Sequence, residues 1–141
     1  MKMKILTVTL AMAVGVFALR AQDVKVAIDK LPAAAAKKGV TFDADIKPIF
    51  EKSCFKCHGP DVEKPKGKFR ADTKANVLKG GGDAPAVTPG DLAKSPLIAM
   101  IAFVTEDEDL YMPPKDNKQK IGPLSKEDVG LVRAWIEQGA K

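Results

Sequence analysis

Apolar residues form two unlike patterns along this chain. The first is one uninterrupted block, Ile5 to Leu19, without a charged residue. Lys2 and Lys4 precede it, and small residues follow it at Ala18 and Ala21. A positive start, a short apolar run and small-residue cleavage points after Ala18 or Ala21 have the layout of a secretory signal peptide over residues 1–21. An uncleaved anchor is the competing reading, but the run is about 15 residues long, short of the roughly 20 that span a bilayer.

The second pattern is helical spacing in short stretches. Ile46, Ile49, Phe50 and Cys54 fall on one helix face. Asp43 or Asp45 can cap that helix, Pro48 is tolerable near its first turn, and Gly59-Pro60 stops it. Thr73 to Lys79 reads as a second helix, capped by Asp72 and ended by Gly80-Gly81-Gly82. Ser95-Pro96 opens a third, with Leu97, Ile98, Met100, Ile101 and Val104 as its apolar positions. Ser125 with Asp128 three residues on opens the last. Its stripe is Leu131, Val132, Trp135 and Ile136, and Gly139 ends it. No alternating run of β-branched residues argues for a sheet, and no internal repeat is visible. The expected fold class is all-α, with about four short helices joined by long loops.

Residues 22–40 contain Pro32 and four consecutive alanines, Ala33 to Ala36, with little amphipathic pattern. They read as a flexible spacer, and residues 41–141 as one small domain. Losing residues 1–21 removes three of the 23 basic residues, which leaves 20 against 18 acidic ones, a net charge of +2. The basic precursor is therefore a poor argument for nucleic acid or membrane partners. Aromatic residues are few, and no basic helix alternates with stacking residues. The expectation is a monomer with no nucleic-acid partner and no stable membrane insertion after cleavage.

Both cysteines and the sole histidine sit in Cys54-Phe55-Lys56-Cys57-His58. C-x-x-C-H is the attachment signature of a c-type haem. Two thiols form thioethers to the haem vinyls, and the adjacent imidazole reaches the iron. A zinc site would need four ligands, and no other Cys or His exists here. A redox dithiol would sit near a βαβ pattern, which is missing. Export and haem attachment reinforce each other, because haem is joined to such proteins outside the cytoplasm.

From Phe42 to Ala140 the chain resembles the planctomycete-type cytochrome c domain. The stretches that carry the resemblance are Asp45-Ile46-Lys47-Pro48-Ile49-Phe50, Cys54 to Pro60, Gly67-Lys68-Phe69-Arg70-Ala71-Asp72, Pro89-Gly90-Asp91, Ser95-Pro96-Leu97-Ile98, Met112-Pro113-Pro114, and Leu124-Ser125 through Trp135 to Ala140. The resemblance implies a small cytochrome c-like fold around one covalent haem c, with the axial methionine at Met112-Pro113-Pro114. The residues themselves leave two candidates once 1–21 is gone. Met112 is held out of a helix by the proline after it. Met100 sits at core-like helical spacing. A water-bound iron is the third option.

Other residues carry weaker expectations. Arg70 can pair with a haem propionate, its guanidinium matching a carboxylate, or be a surface charge. Trp135 can pack near the haem or, as is commoner, between helices. The carbonyl near Pro60 can accept from the second His58 nitrogen. Lys64, Lys66 and Lys68 form a docking rim for redox proteins or a solvated loop, and Glu106 to Asp109 a solvated acidic stretch. The leading functional expectation is single-electron transfer by an exported cytochrome with His58 and Met112 on the iron. The alternatives are a haem enzyme or gas/peroxide sensor with an open iron, and an exported module without haem.

Overall fold

Helical periodicity and loop-forming residues translate into five short α-helices in the computed structural model, which describes residues 24–82 and 84–141. The signal-peptide reading of 1–21 lies outside the described residues. The helices are α1 Lys47–Ser53, α2 Phe55–His58, α3 Lys74–Lys79, α4 Pro96–Ile101 and α5 Lys126–Glu137. Among the described residues no strand forms; Thr88 and Asp91 make one isolated antiparallel bridge. No described helix is long and apolar enough to cross a membrane.

The first expected helix is three pieces. Pro48 has no N–H to donate to the carbonyl four residues back. The chain before it forms a wider π-helical turn, Phe42–Ile46, in which the Lys47 N–H reaches Phe42 O. Asp45 accepts from the Thr41 N–H at 2.9 Å and so caps this turn. At the other end the helix breaks at Cys54 (φ −120°, ψ −34°) before α2 begins. The cap of α3 is Thr73 rather than Asp72: its hydroxyl accepts from Asn76 N–H at 3.2 Å, while Asp72 accepts from the Asn76 side-chain amide at 2.8 Å. Ser95 precedes α4 but does not cap it. It is fully buried and staples the preceding loop, accepting from Thr88 N–H at 2.9 Å and donating to Asp91 O at 2.7 Å. Ser125 caps α5 as expected, accepting from Asp128 N–H at 3.0 Å.

The core lies where α5 meets α4 and the Phe42–Ile46 turn. Val129, Val132, Trp135 and Ile136 are the buried face of α5, and Leu131 is only half-buried. Phe42 stands edge-on to Phe50 (ring centroids 6.2 Å, 74°) and tilted against Trp135 (5.8 Å, 47°). Such pairs add about 0.5–1.5 kcal/mol beyond area burial. The Trp135 indole N–H donates to Lys141 O at 2.9 Å, and the Phe42 N–H donates to the same carbonyl at 2.8 Å. Trp135 thus packs between elements of the core.

Residues 24–40 are not a free spacer but lie along α5. Leu31 is buried, and Ala35 N–H donates to Gly130 O at 2.9 Å. Arg133 donates to Pro32 O at 3.0 Å and the Gln138 amide to Lys37 O at 2.8 Å. Lys37 is paired with Asp45, which the bond, the Thr41 N–H and the nearby positive charge hold below the ordinary carboxylate range. Gly130, in the middle of α5, permits this docking: a Cβ there would lie 2.5 Å from Ala33 O. The segment shows no amphipathic pattern because it docks mostly through its own backbone.

Candidate haem site

One helical turn presents the motif. His58 N–H donates to Cys54 O at 2.8 Å and Cys57 N–H to the same carbonyl at 3.1 Å. Positions three and four apart share a helix face, so Cys54, Cys57 and His58 all line one cavity of about 340 Å³. Neither cysteine is in a disulfide. Among the described residues no three His, Cys, Asp or Glu side chains converge as metal ligands would.

The turn ends at Gly59, whose backbone is extended (φ −83°, ψ 178°). Its glycine is required by space: a Cβ would lie 2.4 Å from Phe55 O. Residues 69–71 then cross back over His58. The His58 Nδ1–H donates to Phe69 O at 3.1 Å, and Ala71 N–H donates to His58 O at 2.8 Å. The Phe69 ring stands edge-on to the imidazole, 5.3 Å between centroids. An Nδ1 spent on a carbonyl must carry the proton, which leaves Nε2 as the nitrogen available to a metal. The carbonyl that orients His58 is therefore that of Phe69 and not that of Pro60. Burial is the main cause that lowers the His58 pKa below its ordinary value, against the opposing Phe69 carbonyl, so the ring is neutral near pH 7.

Arg70 does not line the cavity. Its guanidinium donates to Gly59 O at 2.9 Å, Pro60 O at 3.4 Å and Val62 O at 2.9 Å. These contacts make Arg70 a clamp on the loop that follows His58, since a planar fork with five N–H groups suits clustered carbonyls as well as a carboxylate.

Residues of α4 and the loop after it line the same cavity: Leu97, Met100, Ile101, Met112 and Pro113. Met112 N–H donates to Met100 O at 3.1 Å, which fixes the loop to the end of α4. Met100 is half-buried and on the cavity wall rather than in the buried core. Helical spacing had placed it with Leu97 and Ile101, and those two share the wall. Asn117 staples the loop further on: its amide donates to Pro114 O and Ile121 O, each at 2.8 Å, and accepts from Ile121 N–H at 2.9 Å. The sequence reading passed over Phe69 and Asn117. An asparagine shortly after two prolines is a local signal of such a staple.

The residues fit a haem. The cavity wall is almost wholly apolar, two unpaired thiols flank an imidazole with one nitrogen spare, and thioethers stand on the same wall system. Cys54 is half-buried, and burial together with the neighbouring Cys57 pushes its thiol up to about 12, so it is a neutral thiol at physiological pH. Comparison with curated proteins and with solved structures finds no match. Residues 54–116, which span the C-x-x-C-H turn, the 69–71 crossing and Met112, match the family model described as Planctomycete cytochrome C, the family that the sequence motifs themselves resemble.

Proposed function

We propose that this chain is an exported, single-haem c-type cytochrome that carries single electrons between protein partners, with His58 and Met112 on the iron. The observation that carries the reading is the shared cavity: Cys54, Cys57, His58, Met112 and Pro113 all line it, with mostly apolar residues making up the rest of the wall. When bound, the haem supplies an iron that gains and loses one electron. Cys54 and Cys57 tether it through thioethers. His58 binds through Nε2, its ring held by Phe69 O. Leu97, Ile101, Ile121 and Leu124 exclude water from the site. Met112 supplies a soft thioether, which favours ferrous iron and raises the potential. The Met112-Pro113-Pro114 loop, fixed to α4 by the Met112 N–H, supports that choice over Met100.

Export rests on the layout of residues 1–21 and on the compartment in which haem is attached to such motifs. Weak, transient encounters with redox proteins by a monomer fit the near-neutral charge that remains. The test is the optical spectrum of natively matured protein, oxidised and reduced. A haem band that survives denaturation, with a six-coordinate low-spin form in both states, is the expected result. Lack of a covalent haem from a host with maturation machinery refutes the reading. A high-spin iron that takes up cyanide or peroxide at once points instead to the enzyme or sensor alternative.

A further inference from the structure

A c-type haem brings two carboxylates with it, and the cavity wall offers little to meet them. Among the described lining residues Lys66 is the sole lysine or arginine, and no carboxylate is present. Ser53 and Asn117 are the remaining polar side chains apart from the motif, and the Asn117 amide is spent on Pro114 and Ile121. Arg70 is spent on the loop 59–62. Lys64 and Lys68 flank Lys66 in the chain but do not line the cavity. An ionised carboxylate against an apolar wall is costly unless a cation or backbone N–H groups meet it.

The wall beside Lys66 is bare backbone. Gly80, Gly81 and Gly82 all line the cavity. A Cβ on Gly81 would lie 2.0 Å from Gly67 O and 2.7 Å from Phe69 N, so the glycine segment is pressed onto the residues that directly follow Lys66. A Cβ on Gly82 would meet no atom of the described residues within 4 Å, so packing among them does not demand glycine there. Its φ is not in the left-handed region either. The bare segment leaves room, on the cavity side of the fold, next to the one cation.

We infer that Lys66, with the Gly81–Gly82 backbone beside it, anchors the carboxylate edge of the bound haem. This deepens the haem reading and rests on it. Lys66 is exposed at the rim, so its substitution does not disturb the core. An ammonium held beside a carboxylate keeps that carboxylate ionised and its pKa low.

The experiment uses natively matured full-length protein and measures reduction potential against pH for wild type, Lys66→Gln, Lys64→Gln and Lys68→Gln. Wild type is expected to be flat between about pH 5 and 8, because the carboxylate titrates below that window. In Lys66→Gln the carboxylate pKa rises into the window and the potential acquires a slope there, falling as pH rises. Lys64→Gln and Lys68→Gln stay flat. A flat Lys66→Gln profile, or the same slope in all three variants, overturns the inference while the haem spectrum shows that the haem reading stands. A preparation with no covalent haem removes both.

Discussion

Gly130→Ala tests whether residues 24–40 belong to the fold. Gly in a helix interior costs about 0.8–1 kcal/mol relative to Ala, so the substitution ordinarily stabilises by that amount. Here the added Cβ would lie 2.5 Å from Ala33 O and 3.7 Å from Ala35 N. The nearest obstacle is backbone, which cannot swing aside as a flexible side-chain end does. Either the segment shifts under strain or it lifts away. Overpacking strain of this kind costs roughly 1–3 kcal/mol. Lifting forfeits Leu31 burial, about 1.5–3 kcal/mol, and the bonds from Ala35 to Gly130 and Arg133 to Pro32, about 0.5–1.5 kcal/mol each. Chain entropy regained by the freed residues offsets much of that loss. After the helix-propensity gain, the net expectation is a loss of roughly 1–2 kcal/mol, or a fall in melting temperature of about 3–10 °C for a domain of this size.

The assay is thermal or urea unfolding of holoprotein, with Leu31→Asp as a second background. Leu31→Asp should already release the segment, so Gly130→Ala should turn neutral or stabilising there, a non-additivity of the kind contacting sites show. A rise in stability of about 1 kcal/mol for Gly130→Ala in the otherwise unaltered chain refutes the docking. Val24, at the start of the described segment, lines the haem cavity. Release of the segment should therefore also make the haem more solvent-exposed, visible as a lowered potential.

Met112→Ala should open the iron to cyanide or imidazole and lower the potential, while Met100→Ala leaves the iron low-spin; the reverse pattern assigns the ligand to Met100. Arg70→Ala should cut the yield of correctly ligated holoprotein and shift the potential, and Arg70→Lys should rescue poorly, since one ammonium cannot span Gly59 O and Val62 O together; full rescue by lysine would show that charge alone matters. Asp45 has a lowered pKa in the folded state, so its contribution is present above the unfolded carboxylate pKa and is lost as pH falls through the folded one. Asp45→Asn should accordingly lower the melting temperature at pH 7 and lose that effect in acid, and a pH-independent difference would exclude the linkage.

How far the chain could be read depended on where its contacts reside. The last helix was legible because its cap and its stripe are both side-chain features: Ser125 bonds Asp128 N–H, and Val132, Trp135 and Ile136 are buried. The C-x-x-C-H turn was legible for the same reason. Segment 24–40 was not, because its partners are Pro32 O, Lys37 O and Ala35 N–H, and backbone groups leave no residue signature. The sole trace of it lay elsewhere, in a glycine at the centre of an otherwise regular helix. Met100 was misplaced because core and cavity wall are both apolar. A period of 3.6 says which residues share a face, not whether protein or cofactor lies against it. Arg70 shows the same limit in polar terms, since carbonyls and carboxylates both suit a guanidinium.

With haem bound as proposed, the arrangement around His58 would set opposing pressures on the iron's potential, and each belongs to a separable group. Phe69 O accepts the Nδ1 proton and makes the imidazole a stronger donor, which favours the ferric state. The apolar wall of Leu97, Ile101 and Leu124 penalises the extra positive charge of that state. Lys66 on the same cavity and, as the proposed second ligand, the Met112 thioether would press in the same direction as the wall. Three influences thus favour ferrous iron against one that favours ferric. Of these only the histidine–carbonyl bond has a main-chain partner: Phe69 O accepts from the ring Nδ1, while Ala71 N–H separately holds the His58 main-chain carbonyl. Its acceptor is a main-chain carbonyl, so substitution of the Phe69 side chain does not delete that acceptor. The remaining influences rest on single side chains at Met112, Lys66 and the wall, so sequence change can tune the potential upward or downward there while the proximal ligand stays fixed.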